Sequence, residues 1–157
     1  MRVTNDVVER EYEWTLERGS VVVPVANDVR RRLGEVFETD VSGVTTKQYE
    51  ETIEETYADG ARAVNVATMT RLLREIDVEN DYPGFVVDEY LGRELAAMIA
   101  GRQPLRMLAE ATFHFADVHT HTEGTAGLDD LDAALAAGVQ TRVPGWSWTE
   151  TDPFGHG

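Results

Sequence analysis

At 157 residues the chain has the length of a single domain that buries one core. It contains no cysteine, no apolar run of membrane-spanning length, and no signal-peptide segment behind Arg2, Asn5 and Asp6, so disulfide and thiol chemistry are excluded and the expected location is inside a cell. The 29 acidic residues outnumber the 14 basic ones for a net charge of −15, and Lys47 is the single lysine, a balance that argues against loose binding to nucleic acid.

Met1 to Gly19 fits two patterns. As a helix it is capped by Thr4 or Asn5, carries Val8, Tyr12, Thr15 and Leu16 on one face, and ends at Gly19; as a strand it alternates Val8, Arg10, Tyr12, Trp14 and Leu16 against glutamates. The caps favour the helix. Val21, Val22, Val23 and Val25 form the best strand candidate, an edge or short piece because Pro24 lies inside it. A helix is then expected from Asn27, with Val29, Leu33, Val36 and Phe37 inward and Arg30, Arg31 and Arg32 in its first turn, where cations oppose the helix dipole. Those three arginines either contact an acidic partner or a polyanion, or pair with Asp28, Glu35 and Glu38 on a solvated face.

Val44 to Gly101 reads as three consecutive helices and as the stretch that organises the chain. Thr45 and Gln48 have capping-box spacing, and Tyr49, Ile53, Tyr57, Gly60 and Val64 make one apolar stripe. Asn65 is expected to cap a second helix carrying Met69, Leu72, Leu73 and Ile76; Asn80, Asp81, Pro83 and Gly84 break it; a third helix carries Val87, Leu91, Leu95 and Met98 and stops at Gly101. Pro104 opens a further helix, with Leu105, Leu108, Ala111 and Phe115 inward, that reaches at most Thr122. A last helix spans Leu128 to Ala137, with Asp129, Asp130 and Asp132 in its first turn and Gly138 as its terminator. The expected fold class is therefore mainly α, a helical bundle of about five to six helices with at most one short β element. Residues 1–138 form the helical domain and residues 139–157 an extended C-terminal arm.

Three local patterns bear on chemistry. Ala116 to Gly124, with Asp117, His119 and His121, resembles the Asp-x-His-x-His opening of PHP-type phosphoesterases, which implies a metal-dependent hydrolase using His119 and His121; in that family the remaining ligands come from far downstream, and here the only later histidine is His156. Val64 to Leu73 is similar to the recognition helix of repressors related to the lactose repressor, which implies a helix-turn-helix regulator with Asn65, Thr68 and Arg71 facing DNA, although Glu50, Glu51, Glu54 and Glu55 make the preceding helix acidic. The arm carries Pro144, Trp146, Trp148 and Phe154, and large aromatics with few rotatable bonds beyond a last helix point to docking on a protein partner.

The acidic, lysine-poor composition resembles proteins of extremely halophilic archaea or of viruses that infect them, where concentrated salt screens self-repulsion. A small helical bundle with such an arm resembles the head-to-tail connector, or adaptor, proteins of tailed viruses. This resemblance implies a non-enzymatic assembly subunit without cofactor or metal, homo-oligomeric or ring-forming, in a high-salt cytoplasm or a virion.

Overall fold

A computed structural model describes residues 2–76, 86–120 and 126–145. Among these the chain is mainly helical, with seven α-helices and no β-strand. They are α1 (Asn5–Glu17), α2 (Gly19–Val36), α3 (Thr46–Ala58), α4 (Gly60–Glu75), α5 (Arg93–Ala100, entered through a π-helical turn at Val87–Gly92), α6 (Leu105–Thr120) and α7 (Ala126–Arg142).

The first residues take the helical alternative. Thr4 caps α1 by accepting the Val7 N–H at 3.3 Å, and the buried stripe is Val7, Glu11 and Thr15, one turn apart. Arg18, and not Gly19, separates α1 from α2. The valine run is a correction: Val21 to Val25 belongs to α2, which passes through Pro24 to Val36. Val22, Ala26, Val29 and Leu33 recur at helical spacing and are buried, so burial of that face outweighs both the β-preference of valine and the amide hydrogen bond lost at proline.

The capping box at the start of α3 is present: Gln48 N–H donates to Thr45 Oγ1 at 3.1 Å, and Thr45 N–H donates to Gln48 Oε1 at 2.9 Å. The expected long stripe through Val64 is cut by Asp59, whose carboxylate accepts the Arg62 N–H at 3.2 Å and caps α4; Asn65 is therefore an exposed position inside α4 and caps nothing. The break expected at Asn80, Asp81, Pro83 and Gly84 lies outside the described residues. Gly101 ends α5 with φ +92°, a conformation that suits glycine, and its N–H donates to Ala97 O at 2.9 Å.

The organising element is α7. Every side chain from Asp130 through Thr141 is buried, and the helix packs against α2, α3, α4, α5 and α6. Ala133, Ala134, Ala136, Ala137 and Gly138 keep part of its surface small, which lets neighbouring helices approach closely, and burial of polar and apolar residues alike removes the amphipathic signal of a surface helix. Gly138 does not terminate it. A Cβ at Gly138 would stand 2.8 Å from Ile99 Cβ and 2.9 Å from Ala96 O, so the missing side chain is the contact surface against α5. The helix continues to Arg142 and Val143 is buried behind it, which moves residues 139–143 from the arm into the bundle.

Polar groups inside the bundle are tied across helices. Arg18 grips Asp132 of α7 with two bonds of 2.8 Å, and Gln140 Nε2 donates to Thr112 Oγ1 of α6 at 3.1 Å. Glu11, fully buried on α1, accepts from Arg74 of α4 at 2.6 Å, with Arg71 Nε 3.8 Å from its second oxygen. The Trp14 ring is approached by the guanidinium groups of Arg74 and Arg18, whose Cζ atoms stand 4.4 Å and 5.6 Å from its centroid.

Candidate functional site

The candidate docking segment begins where α7 meets α2. Arg30 lies on the inward face of α2 and is 1 % exposed. Its Nη1 donates to Ser42 O at 2.7 Å and to Pro144 O at 2.9 Å; its Nη2 donates to Gln140 O and Val143 O, both at 2.5 Å. Two of these acceptors are carbonyls at the C-terminal end of α7, where a cation is favoured by the helix dipole and satisfies groups the helix leaves unpaired. The other two belong to the α2–α3 loop and to the first residues after α7. A single planar guanidinium thus joins three backbone segments, which a lysine with one compact head has no geometry to do.

Gly145 completes the joint. Its φ is +121°, its carbonyl accepts the Ser42 N–H at 3.4 Å, and a Cβ there would stand 2.8 Å from Ser42 Cβ and 3.0 Å from Arg30 Nη1. Asn27 holds the same loop from its other side, its Oδ1 accepting the Val44 N–H at 2.6 Å and its Nδ2 donating to Val44 O at 3.1 Å. Between α2 and this loop lies an open depression of about 570 Å³ lined by Arg31, Gly34, Glu38 and Asp40 among others.

The arginine triplet therefore divides. Arg30 is corrected from a surface contact to a buried anchor: its position in the middle of α2 turns its side chain toward the end of α7. Arg31 reaches Asp28 at 3.6 Å and Glu35 at 3.4 Å, the solvated alternative, and Arg32 is exposed. Pro144 is exposed above the anchor, whereas Trp146, Trp148 and Phe154 lie outside the described residues. Sequence reasoning missed Ser42 and Gly145; a Pro-Gly pair directly after a helix was the available signal, since such a pair fixes a chain direction.

The other patterns come out differently. On α4, Arg71 is committed to Glu11 and to Glu75 at 3.2 Å, Thr68 donates back to Val64 O at 2.7 Å, and Asn65 is exposed. His114 is exposed on α6; His121 and the side chain of His119 are outside the described residues. Among the described residues no three His, Cys, Asp or Glu side chains group as a metal site, and no helix is long and apolar enough to cross a membrane.

A family model described as "Domain of unknown function (DUF7984)" matches residues 1–157. The chain belongs to the DUF7984 family. No curated protein and no solved structure matches it. The DUF7984 match runs through the Arg30 anchor and on to Gly157, so the bundle and the residues that follow it fall within one family match.

Buried titratable groups give this DUF7984 bundle a defined alkaline limit. Burial pushes the Tyr57 phenol up to about 12 and holds Tyr49, whose hydroxyl donates to Thr15 O at 2.5 Å, above the usual phenol range. An unfolded tyrosine releases its proton near 10, so the stabilisation from both is complete below pH 10; the Tyr57 share is lost as pH rises through its folded-state value of about 12, and the Tyr49 share only above that. Burial acts in the opposite sense on Arg30, lowering its pKa to about 10, a cost that its four bonds to carbonyls offset. Relative to Tyr57→Phe, the native chain should lose of order 2 kcal/mol of unfolding free energy between pH 10 and 12. Denaturant melts of both proteins across the alkaline range provide the measurement.

Proposed function

We propose that this chain is a structural assembly subunit that docks on a protein partner, in the first place further copies of itself, through the aromatic segment after Gly145. The observation that supports this reading is the Arg30 anchor. A fully charged side chain is buried to fix the carbonyls of Val143 and Pro144 and the last turn of α7, so the docking segment starts from one place in one direction. Preorganising the origin of an arm lowers the entropy lost when its aromatics are captured. At the end of α2, Val36 and Phe37, expected to face inward, are 54 % and 69 % exposed and offer apolar surface. A ring-forming connector of the tailed-virus kind is the form of assembly proposed, in molar salt that screens a charge of −15.

The test is light scattering behind size-exclusion chromatography in molar salt, comparing the chain with a full-length variant carrying Trp146→Ser, Trp148→Ser and Phe154→Ser. The native chain should elute as an oligomer and the variant as a monomer with an unaltered melting temperature. A Trp14→Phe background leaves only the two arm tryptophans to report, and their emission should shift to the blue as concentration rises. A native chain that stays monomeric with red, concentration-independent emission would overturn the proposal.

A further inference from the structure

A second joint, at the far end of α5, gathers positive charge in a chain that is otherwise strongly acidic. Arg62 from the first turn of α4, Arg102 from the turn after α5, and Arg142 from the end of α7 line a concavity of about 410 Å³, with Ala100, Gly101 and Leu105 as its apolar floor. Arg142 is held in place: its Nη1 donates to Ile99 O at 3.1 Å and its Nη2 meets Glu55 Oε2 at 2.9 Å, leaving its side chain 19 % exposed. The guanidinium of Arg62 lies on the bare backbone of Gly101, where an added Cβ would stand 3.0 Å from its Nη2 and 3.2 Å from its Cζ.

Capping of α5 accounts for only part of this cluster. The carbonyls at its C-terminal end receive Arg142 at Ile99 and Arg106 at Ala97, the latter at 3.3 Å. Neither Arg62 nor Arg102 donates to those carbonyls, and among the described residues neither has a carboxylate within ion-pair distance. Elsewhere in the bundle arginines on packed surfaces have acidic partners, as Arg18, Arg71, Arg74 and Arg106 do, or bond backbone carbonyls, as Arg30 does. Burial is the main cause that lowers the Arg142 pKa; Glu55 opposes it, and Arg62 and Arg102 add to the lowering, which places their charges near the Arg142 guanidinium.

We propose that Arg62, Arg102 and Arg142 form a binding site for a phosphate group, carried by a small phosphorylated molecule or present as inorganic phosphate. A carboxylate is satisfied by one guanidinium fork, whereas three guanidiniums brought together from three helices' ends match the several acceptor oxygens of a tetrahedral dianion. The concavity exceeds a bare phosphate, and Ala100 and Leu105 offer apolar surface for the esterified part. Because Arg142 ends the helix whose next residues form the Arg30 joint, a bound dianion would also brace α4, α5 and α7 against one another. This inference does not depend on the assembly reading.

Isothermal titration of the full chain with inorganic phosphate and with glycerol phosphate, at constant ionic strength set by sodium chloride, tests the site. Saturable binding is expected, and the Arg62→Gln, Arg102→Gln double variant should lose at least about tenfold in affinity while keeping its circular dichroism and its melting temperature in chloride. Arg32→Gln, on the exposed side of α2, should bind as the native chain does. Tighter binding of the ester assigns a phosphorylated small molecule, and equal binding assigns phosphate itself. Absence of saturable heat with either probe, unaltered affinity in the double variant, or equal thermal stabilisation by chloride and phosphate would each sink the proposal.

Discussion

Replacing Arg30 by alanine should lower the unfolding free energy by about 3–5 kcal/mol, the largest effect expected of any single change in the bundle. The substitution removes four hydrogen bonds at once and leaves the carbonyls of Ser42, Gln140, Val143 and Pro144 to find water in a place that is 1 % exposed. Arg30→Lys should recover only a minority of that loss, because one ammonium group cannot span acceptors on three segments. Arg31→Ala, one residue away on the solvated face, should change stability by less than about 0.5 kcal/mol. Urea melts in a fixed salt concentration measure all three, and hydrogen exchange localises the change: the Ser42 amide, bonded to Gly145 O, should lose protection first. A loss below about 1 kcal/mol would mean that water already serves those carbonyls and that Arg30 anchors nothing.

The second large effect is expected at Arg74. Glu11 is fully buried, and its nearest cation is Arg74 at 2.6 Å, with Arg71 more distant at 3.8 Å. Arg74→Ala leaves a buried carboxylate with only that weaker neighbour and strips a guanidinium from the face of Trp14, so a loss of about 3 kcal/mol is expected. The pair is costly to break and less costly to replace. Glu11→Leu together with Arg74→Leu should recover most of the lost stability, since neither half is then a stranded charge. A double-mutant cycle on urea melts gives the coupling directly; equal losses from the single and the double variant would show that Arg74 acts through Trp14 packing and not through Glu11.

Both effects rest on ionised groups inside the bundle, and this is where sequence reasoning and structure part. The helical class was legible because apolar residues recur at three- and four-residue steps, and the start of α3 was legible because a capping box is a local object, formed by Thr45 and Gln48 with no help from elsewhere. Gly101 was legible for the same reason. The valines at 21–25 were not, since strand preference is a weak energy beside the burial of Val22, Val25 and Val29 on one helical face. Gly138 carried the signal of a terminator and turned out to be a contact surface, a distinction that depends on Ile99 standing beside it.

The centre of the molecule was misplaced for a related reason. A helix that buries Asp130, Asp132 and Gln140 along with its alanines and leucines reads as weakly amphipathic, and amphipathicity marks surface helices; α7 is buried on every side from Asp130 to Thr141 and so gives the faintest periodic signal among the described α-helices. Charges were misread in the same direction. Glu11, Arg30 and Asp132 look like solvated positions in the sequence, and each is buried against a partner far along the chain: Arg74, the end of α7, and Arg18.

Length, the missing cysteines, the acidic balance, the helical periodicities and the local caps were determined by the order of residues alone, because each depends on neighbours within a turn or two or on a simple total. Which helix lies at the centre, which arginine is buried, and which three arginines meet beside Gly101 were decided only by the tertiary structure. The physical reason is range: a cap or an amphipathic stripe is fixed by contacts a few residues apart, whereas the cost of burying a charge is offset by a group brought from another helix, and no periodicity in the chain records that meeting.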